Sequence, residues 1–220
     1  MEQNSTIMIT YATHQDLYKI AKCHIAAFPK SVTSLLGEKV VASMFQWYLS
    51  APNNFLFYVE ENGNVTGYCG GFVRNIQDPY GSSSGMTQFG FNHAWRAFAL
   101  RPWLLIHPEV RNKYKFILTN IFRKLRLKRD VPMVVTQPKL AEEPLTAGLV
   151  IIGVIPELQQ KGIGTLLQHE FERKALELGA KRLSLTVKKN NGKAVKSYYR
   201  NGYVTYKEEA TSFYMVKDLV

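Results

Sequence analysis

Val154-Ile155-Pro156-Glu157-Leu158-Gln159-Gln160-Lys161-Gly162-Ile163-Gly164 ends an apolar run in a glycine-bearing loop, and Thr165 to Leu178 then carries helical spacing. A strand that passes such a loop to a helix N-terminus turns several backbone N–H groups outward at the positive end of a helix dipole, which suits a phosphate or pyrophosphate. In this reading Gly162 lets the backbone approach the anion, and Gly164 lets the helix start close to the strand. The loop is neither Gly-x-Gly-x-x-Gly nor a P-loop, because no Gly-Lys-Ser/Thr closes it. Alone, it is also what an ordinary strand-to-helix turn looks like.

A second motif decides between the two. After the apolar strand Leu183-Ser184-Leu185-Thr186-Val187 comes Asn191-Gly192-Lys193-Ala194-Val195-Lys196-Ser197-Tyr198-Tyr199-Arg200-Asn201-Gly202-Tyr203, a short helix with Asn201-Gly202 as its stop signal. Together the segments resemble the GCN5-related N-acetyltransferase (GNAT) superfamily, whose pattern is Gln/Arg-x-x-Gly-x-Gly/Ala and, a helix and a strand later, Asn-x-x-Ala-x-x-x-Tyr-x-x-x-Gly-Phe. Gln159, Gly162 and Gly164 match the first part; Asn191, Ala194, Tyr198, Gly202 and Tyr203 match the second. The resemblance covers the last third of the chain closely and the first third loosely. It implies an α/β fold with a mixed, mostly antiparallel central sheet and helices on both faces.

The N-terminal part reads in the same order. Ile7 to Tyr11 is a strand, Thr13 caps a helix with apolar residues at Leu17, Ile20, Ala21, His24, Ile25 and Phe28, and Pro29 stops it. A second helix runs from about Glu38 to Leu49, and Phe55–Glu60 and Val65–Val73 flank an Asn62-Gly63 turn as a hairpin. The next strand, at Leu149 to Val154, is far downstream. A structureless loop of that length is improbable, so an insertion at about 80–145, between the third and fourth strands, is expected to be helical, over Phe91–Leu100 and Pro108 to about Lys128. The 220 residues then form a single domain that includes it.

The formal net charge of +11 is concentrated there: ten basic residues against one acid, Glu109, between Arg96 and Arg129. A solvated face on a lid over the acceptor cleft, peripheral contact with an anionic membrane surface, and capture of an acidic substrate such as a sugar nucleotide all fit a basic stretch interleaved with Trp95, Phe98, Trp103, Phe116 and Phe122. No nucleic-acid module surrounds the charge, so none is expected as a partner. The chain has no apolar run of about 20 residues and Met1 to Ser5 lacks signal-peptide features, so the expected location is cytoplasmic. Cys23 and Cys69 have no metal-ligand spacing and read as buried reduced thiols; no metal is expected. Nothing in the sequence gives the oligomeric state.

The resemblance implies acetyl transfer from acetyl-coenzyme A, as co-substrate, to an amine by direct attack. The pyrophosphate would lie on the backbone of Gln160, Lys161, Gly162, Ile163, Gly164 and Thr165, after Gln159, and the pantetheine arm would pair with the strand edge at Ile152 and Val154. Asn191 would contact the pantetheine side, and Lys161, Lys188, Lys189 or Lys193 the 3′-phosphate. Tyr198 would protonate the leaving thiolate, while Tyr199 points elsewhere on the helix. Many relatives use a Glu on the strand before the loop as base; here that position reads as Gly148, which leaves Glu143 and Glu142 as carboxylate candidates and His24, His93 and His107 as further options. The acceptor is expected to be the primary amine of a small molecule, an amino sugar or sugar nucleotide foremost; a lysine or N-terminal protein acetyltransferase and a non-catalytic coenzyme-A-binding module are the alternatives.

Overall fold

The computed structural model describes residues 7–74, 89, 96–98, 100–108 and 144–219. Seven strands form one sheet in the order β1-β2-β3-β4-β5-β7-β6. These are β1 (Met8–Tyr11), β2 (Asn54–Glu61), β3 (Asn64–Val73), β4 (Thr146–Val154), β5 (Arg182–Lys188), β6 (Val204–Glu208) and β7 (Ser212–Asp218). Only β4 and β5 run parallel, and the helix α4 (Ile163–Glu177) makes the crossover between them. Among the described residues, the other α-helices with both ends described are α1 (Leu17–Ala27), α2 (Val32–Leu36), α3 (Glu38–Phe45) and α5 (Gly192–Arg200).

Period-two alternation along β2 and β3 builds a core on each face of the sheet. Phe55, Phe57, Val59 and Cys69 pack with Leu167 and Phe171 of α4 and with Tyr198 of α5. Leu56, Tyr58 and Tyr68 face the other way, onto Leu17, Ile20 and Ala21 of α1 and Val41 and Phe45 of α3. The β2–β3 turn has positive φ at both Asn62 and Gly63, as a two-residue hairpin turn with the twist of its strands requires. Thr13 opens a 3-10 turn, His14–Asp16, that leads into α1, and the Asp16 carboxylate accepts from its backbone N–H at 2.8 Å and its hydroxyl at 2.7 Å.

Two differences from the sequence reading are local. The second helix tightens into a 3-10 turn at Gln46–Leu49 and is preceded by the short α2, capped by Ser31. The fourth strand begins at Thr146 rather than Leu149. Most of the insertion at 80–145 lies outside the described residues, and with it the helix expected over 108–128; residues 96–98 and 100 are helical, and a 3-10 turn follows at Pro102–Ile106.

Glycines of β3 seat α4. A Cβ on Gly71 would lie 2.5 Å from both the Gly148 carbonyl oxygen and the Phe171 ring, and one on Gly67 would lie 3.0 Å from Ile163 and 3.1 Å from Leu167. The close approach of helix to sheet is therefore made by β3, where the sequence reading had assigned it to Gly164; a Cβ on Gly164 would meet nothing within 4 Å. Since backbone cannot yield as a flexible side chain does, Gly71→Ala should lower the unfolding free energy by about 1–3 kcal/mol. A urea titration checks this; an unchanged midpoint would show that α4 can ride further from the sheet.

Candidate active site

β4 and β5 pair only from Thr146↔Arg182 to Leu149↔Leu185. Beyond that register β4 continues to Val154 and β5 to Lys188, and a cleft of about 1410 Å³ opens between them. It exceeds the roughly 300–1,000 Å³ of a drug-sized ligand site, as a long ligand requires. Its walls include Leu149–Val154 of β4, the loop and first turns of α4, Thr186–Lys188 of β5, much of α5, and Phe28 from the end of α1.

A bulge shapes the β4 wall. Gly70 pairs with Ile151 and Gly71 with Leu149, so Val150 has no partner on β3 and the alternation of β4 shifts by one residue. The Ile155 N–H bonds to Thr66 of β3 at 3.0 Å, so strand alternation turns the main-chain groups of Ile152 and Val154 towards the cleft. The Val154 carbonyl accepts from Gln159 Nε2 at 3.2 Å, which pins the loop to the strand end.

At the loop, Gln160 has φ 65° and Gly162 φ 88°. Gly162 is the N-cap of α4, and the first intrahelical bond of that turn runs from Leu166 N–H to the Gly162 carbonyl. The N–H groups of Ile163, Gly164 and Thr165 are thus without helical acceptors, and no acidic residue occupies the first turn. This is the electrostatic setting of an anion site. Gly162 and Gly164 have open space where a side chain would stand. Ile163 itself is buried in the core, so only its backbone is available, and Lys161 is exposed on the loop.

On the opposite wall, Asn191 caps α5 by accepting from the Ala194 N–H at 3.3 Å, which leaves its amide nitrogen for other partners. Tyr198 is 6% exposed and stacks edge-on with Tyr203, while Tyr199 is 48% exposed and bonds to Thr205 at 2.7 Å. Burial, with a smaller contribution from Cys69, holds the Tyr198 phenol well above the usual tyrosine range. Lys188, Lys193, Lys196 and Arg200 line the cleft, and among its described lining residues none is acidic. Lys189 is instead paired with Glu208 at 2.6 Å.

The position of a strand carboxylate is closed. A Cβ on Gly148 would lie 2.9 Å from the Phe72 ring, so an aromatic from the neighbouring strand fills that space. His24 is buried, bonded to the Tyr68 hydroxyl and, at 2.9 Å, to Thr33, and burial pushes it down to about 4, so it stays neutral. The His107 imidazole meets the Lys30 carbonyl at 3.1 Å. Glu142, Glu143 and His93 lie outside the described residues. Cys23 and Cys69 are both buried and unpaired, and burial raises both thiols. Phe28, Gln168, Ser197, Lys196 and Arg200 also line the cleft, and no motif had singled them out.

Residues 131–203 match the model of the acetyltransferase (GNAT) family. No curated protein sequence matches the chain. Among solved structures, PaiA N-acetyltransferase from Thermoplasma acidophilum, in complex with coenzyme A, is 13% identical with a TM-score of 0.54, over 97% of this chain and 99% of that one. The aminoglycoside N-acetyltransferase AAC(6')-Iy, in complex with CoA, is 11% identical with a TM-score of 0.55, over 96% and 99%. The ribosomal-protein-S18-alanine N-acetyltransferase from Escherichia coli is 16% identical with a TM-score of 0.51, over 97% and 94%. The segment that carries both motifs thus matches the GNAT acetyltransferase family, and the fold around it is the GNAT fold.

The loop geometry gives a direct test of the anion site. Gly162→Glu places a carboxylate beside the free N–H groups; open space lets the chain fold, at a left-handed backbone cost of about 1–2 kcal/mol. Affinity for acetyl-coenzyme A by calorimetry should collapse, and a folded variant with wild-type affinity would remove the loop as the site.

Proposed function

We propose that this chain transfers an acetyl group from acetyl-coenzyme A to the primary amine of a small molecule. The observation that carries the reading is the parted pair of strands, with helix N–H groups at the Gly162 end and a buried tyrosine, Tyr198, on the facing wall. The bound thioester supplies an activated acetyl group. Gln160 to Thr165 would hold the pyrophosphate, the main chain of Ile152 and Val154 and the amide of Asn191 the pantetheine arm, and Lys188 or Lys193, which line the cleft, the remaining phosphate.

In the transfer, the amine nitrogen bonds to the acetyl carbon as the carbon–sulfur bond breaks, and the electron pair leaves with sulfur. Tyr198 donates to that sulfur. A raised pKa keeps the phenol protonated, as a donor must be, so activity should show no loss from tyrosine ionisation near the ordinary value of about 10. The amine's own proton has no carboxylate acceptor among the described cleft residues, and Glu143 is the proposed acceptor.

A small acceptor is supported by how the insertion is fastened. Arg101 Nη1 donates to the Leu35 carbonyl at 2.7 Å and His107 meets the Lys30 carbonyl, which ties the Pro102–Ile106 turn to the segment just after Phe28, a cleft residue. Such a fastening restricts an open peptide groove. The basic character of the insertion favours an anionic acceptor, an amino sugar or its nucleotide foremost.

Turnover on panels of amino sugars, their nucleotides, other small amines and peptides tests the reading, with amino sugars or their nucleotides expected to be acetylated. Peptide turnover alone would make the chain a protein acetyltransferase, and cofactor binding without turnover a binding module. Tyr198→Phe should slow turnover by about 10²–10⁴-fold with little change in cofactor affinity, and Tyr199→Phe should be much milder. Equal losses in the two variants would refute the role given to Tyr198.

A further inference from the structure

Gln168 lies on α4 one turn beyond Gly164, 5% exposed and among the residues that line the cleft. Its Nε2 donates to Ser197 Oγ on α5 at 3.0 Å, and its Oε1 has no hydrogen-bond partner. A buried unpaired carbonyl is unfavourable, whereas an apolar side chain of similar length would fill this place without that cost. The other buried side-chain atoms without a partner among the described residues are Trp47 Nε1, Tyr48 OH, Asn54 Oδ1 and Tyr203 OH, and none belongs to a residue of the cleft wall. Of the other side-chain amides, the Asn191 oxygen is used by the α5 cap and the Gln159 nitrogen by Val154.

The two ends of a side-chain amide have the same shape, so the spare end is an acceptor in this orientation and a donor in the reversed one. A secondary amide offers the complement to both. A phosphate offers acceptors alone. In acetyl-coenzyme A the secondary amides belong to the pantetheine arm.

We propose that Gln168 is a positioning residue for the cofactor: its unpaired amide end, buried in the absence of ligand, turns to the cleft and pairs with a pantetheine amide, and its other end, through Ser197, ties that arm to the helix turn that carries Tyr198. The bond from Gln168 to Ser197, which already joins α4 to α5, thereby holds the arm in place. This rests on the coenzyme A reading above.

Calorimetry on the full chain with coenzyme A and with adenosine 3′,5′-bisphosphate, which lacks pantetheine, tests it. Gln168→Met should bind coenzyme A about three- to tenfold more weakly and the bisphosphate as wild type does. Its unfolding midpoint without ligand should be equal to wild type or higher, and Gln168→Leu provides the same test should the Met variant fail to fold. Wild-type coenzyme A affinity in Gln168→Met, or equal losses for both ligands, would overturn the inference while the cofactor reading stands. A wild-type chain that does not bind coenzyme A would overturn the reading and the inference together.

Discussion

Two parallel strands separate after Leu149 and Leu185, yet neither ends there. A strand that keeps its extended form without a neighbour leaves peptide N–H and C=O groups that require another partner. On β4 those groups belong to Ile152 and Val154, and the Val154 carbonyl is met by the Gln159 side chain. The bulge at Val150 sets this register: without it, alternation would turn the opposite set of residues into the cleft. The opening, its lining and its backbone character thus follow from one interruption of sheet pairing.

The parted strands need a rigid frame, and exchange between glycines and aromatics supplies it. Phe171 of α4 occupies the space left by Gly71, Phe72 that left by Gly148, and Tyr68 with Phe28 that left by Gly153. In each case a ring stands where a Cβ would, which seats α4 on β3 at Gly71 and locks β3 against β4 at Gly148 and Gly153. The same exchange has a chemical consequence. Gly148 cannot be read simply as a lost carboxylate, because the ring of Phe72 takes the room that any side chain there would need.

The strands, the main helices and the capped loop were legible because each carries a local signal: the apolar run of β2, the Asn62-Gly63 turn, the Thr13–Asp16 cap and the Asn201-Gly202 stop. Gly162 was readable for the same reason, since a glycine at a helix start reports a backbone need, and it has φ 88°. The purpose of Gly164 was misread because helix–sheet distance is set by residues far away in sequence, Gly67 and Gly71. Gln168 carried no signal either. A glutamine within an amphipathic helix looks like a surface residue, and only the packing of α5 against α4 shows that it is buried with half its amide unpaired. The short α2 escaped notice because five residues give too little periodicity to detect.

Amide hydrogen exchange with and without coenzyme A tests most directly whether the parted strands are the cofactor site. Binding should slow exchange at Ile152, at Val154 and at Ile163 to Thr165, whose N–H groups face the cleft or lack helical acceptors, and should leave the β2–β3 hairpin unchanged. Protection confined to other segments, or none at saturating coenzyme A, would contradict the account.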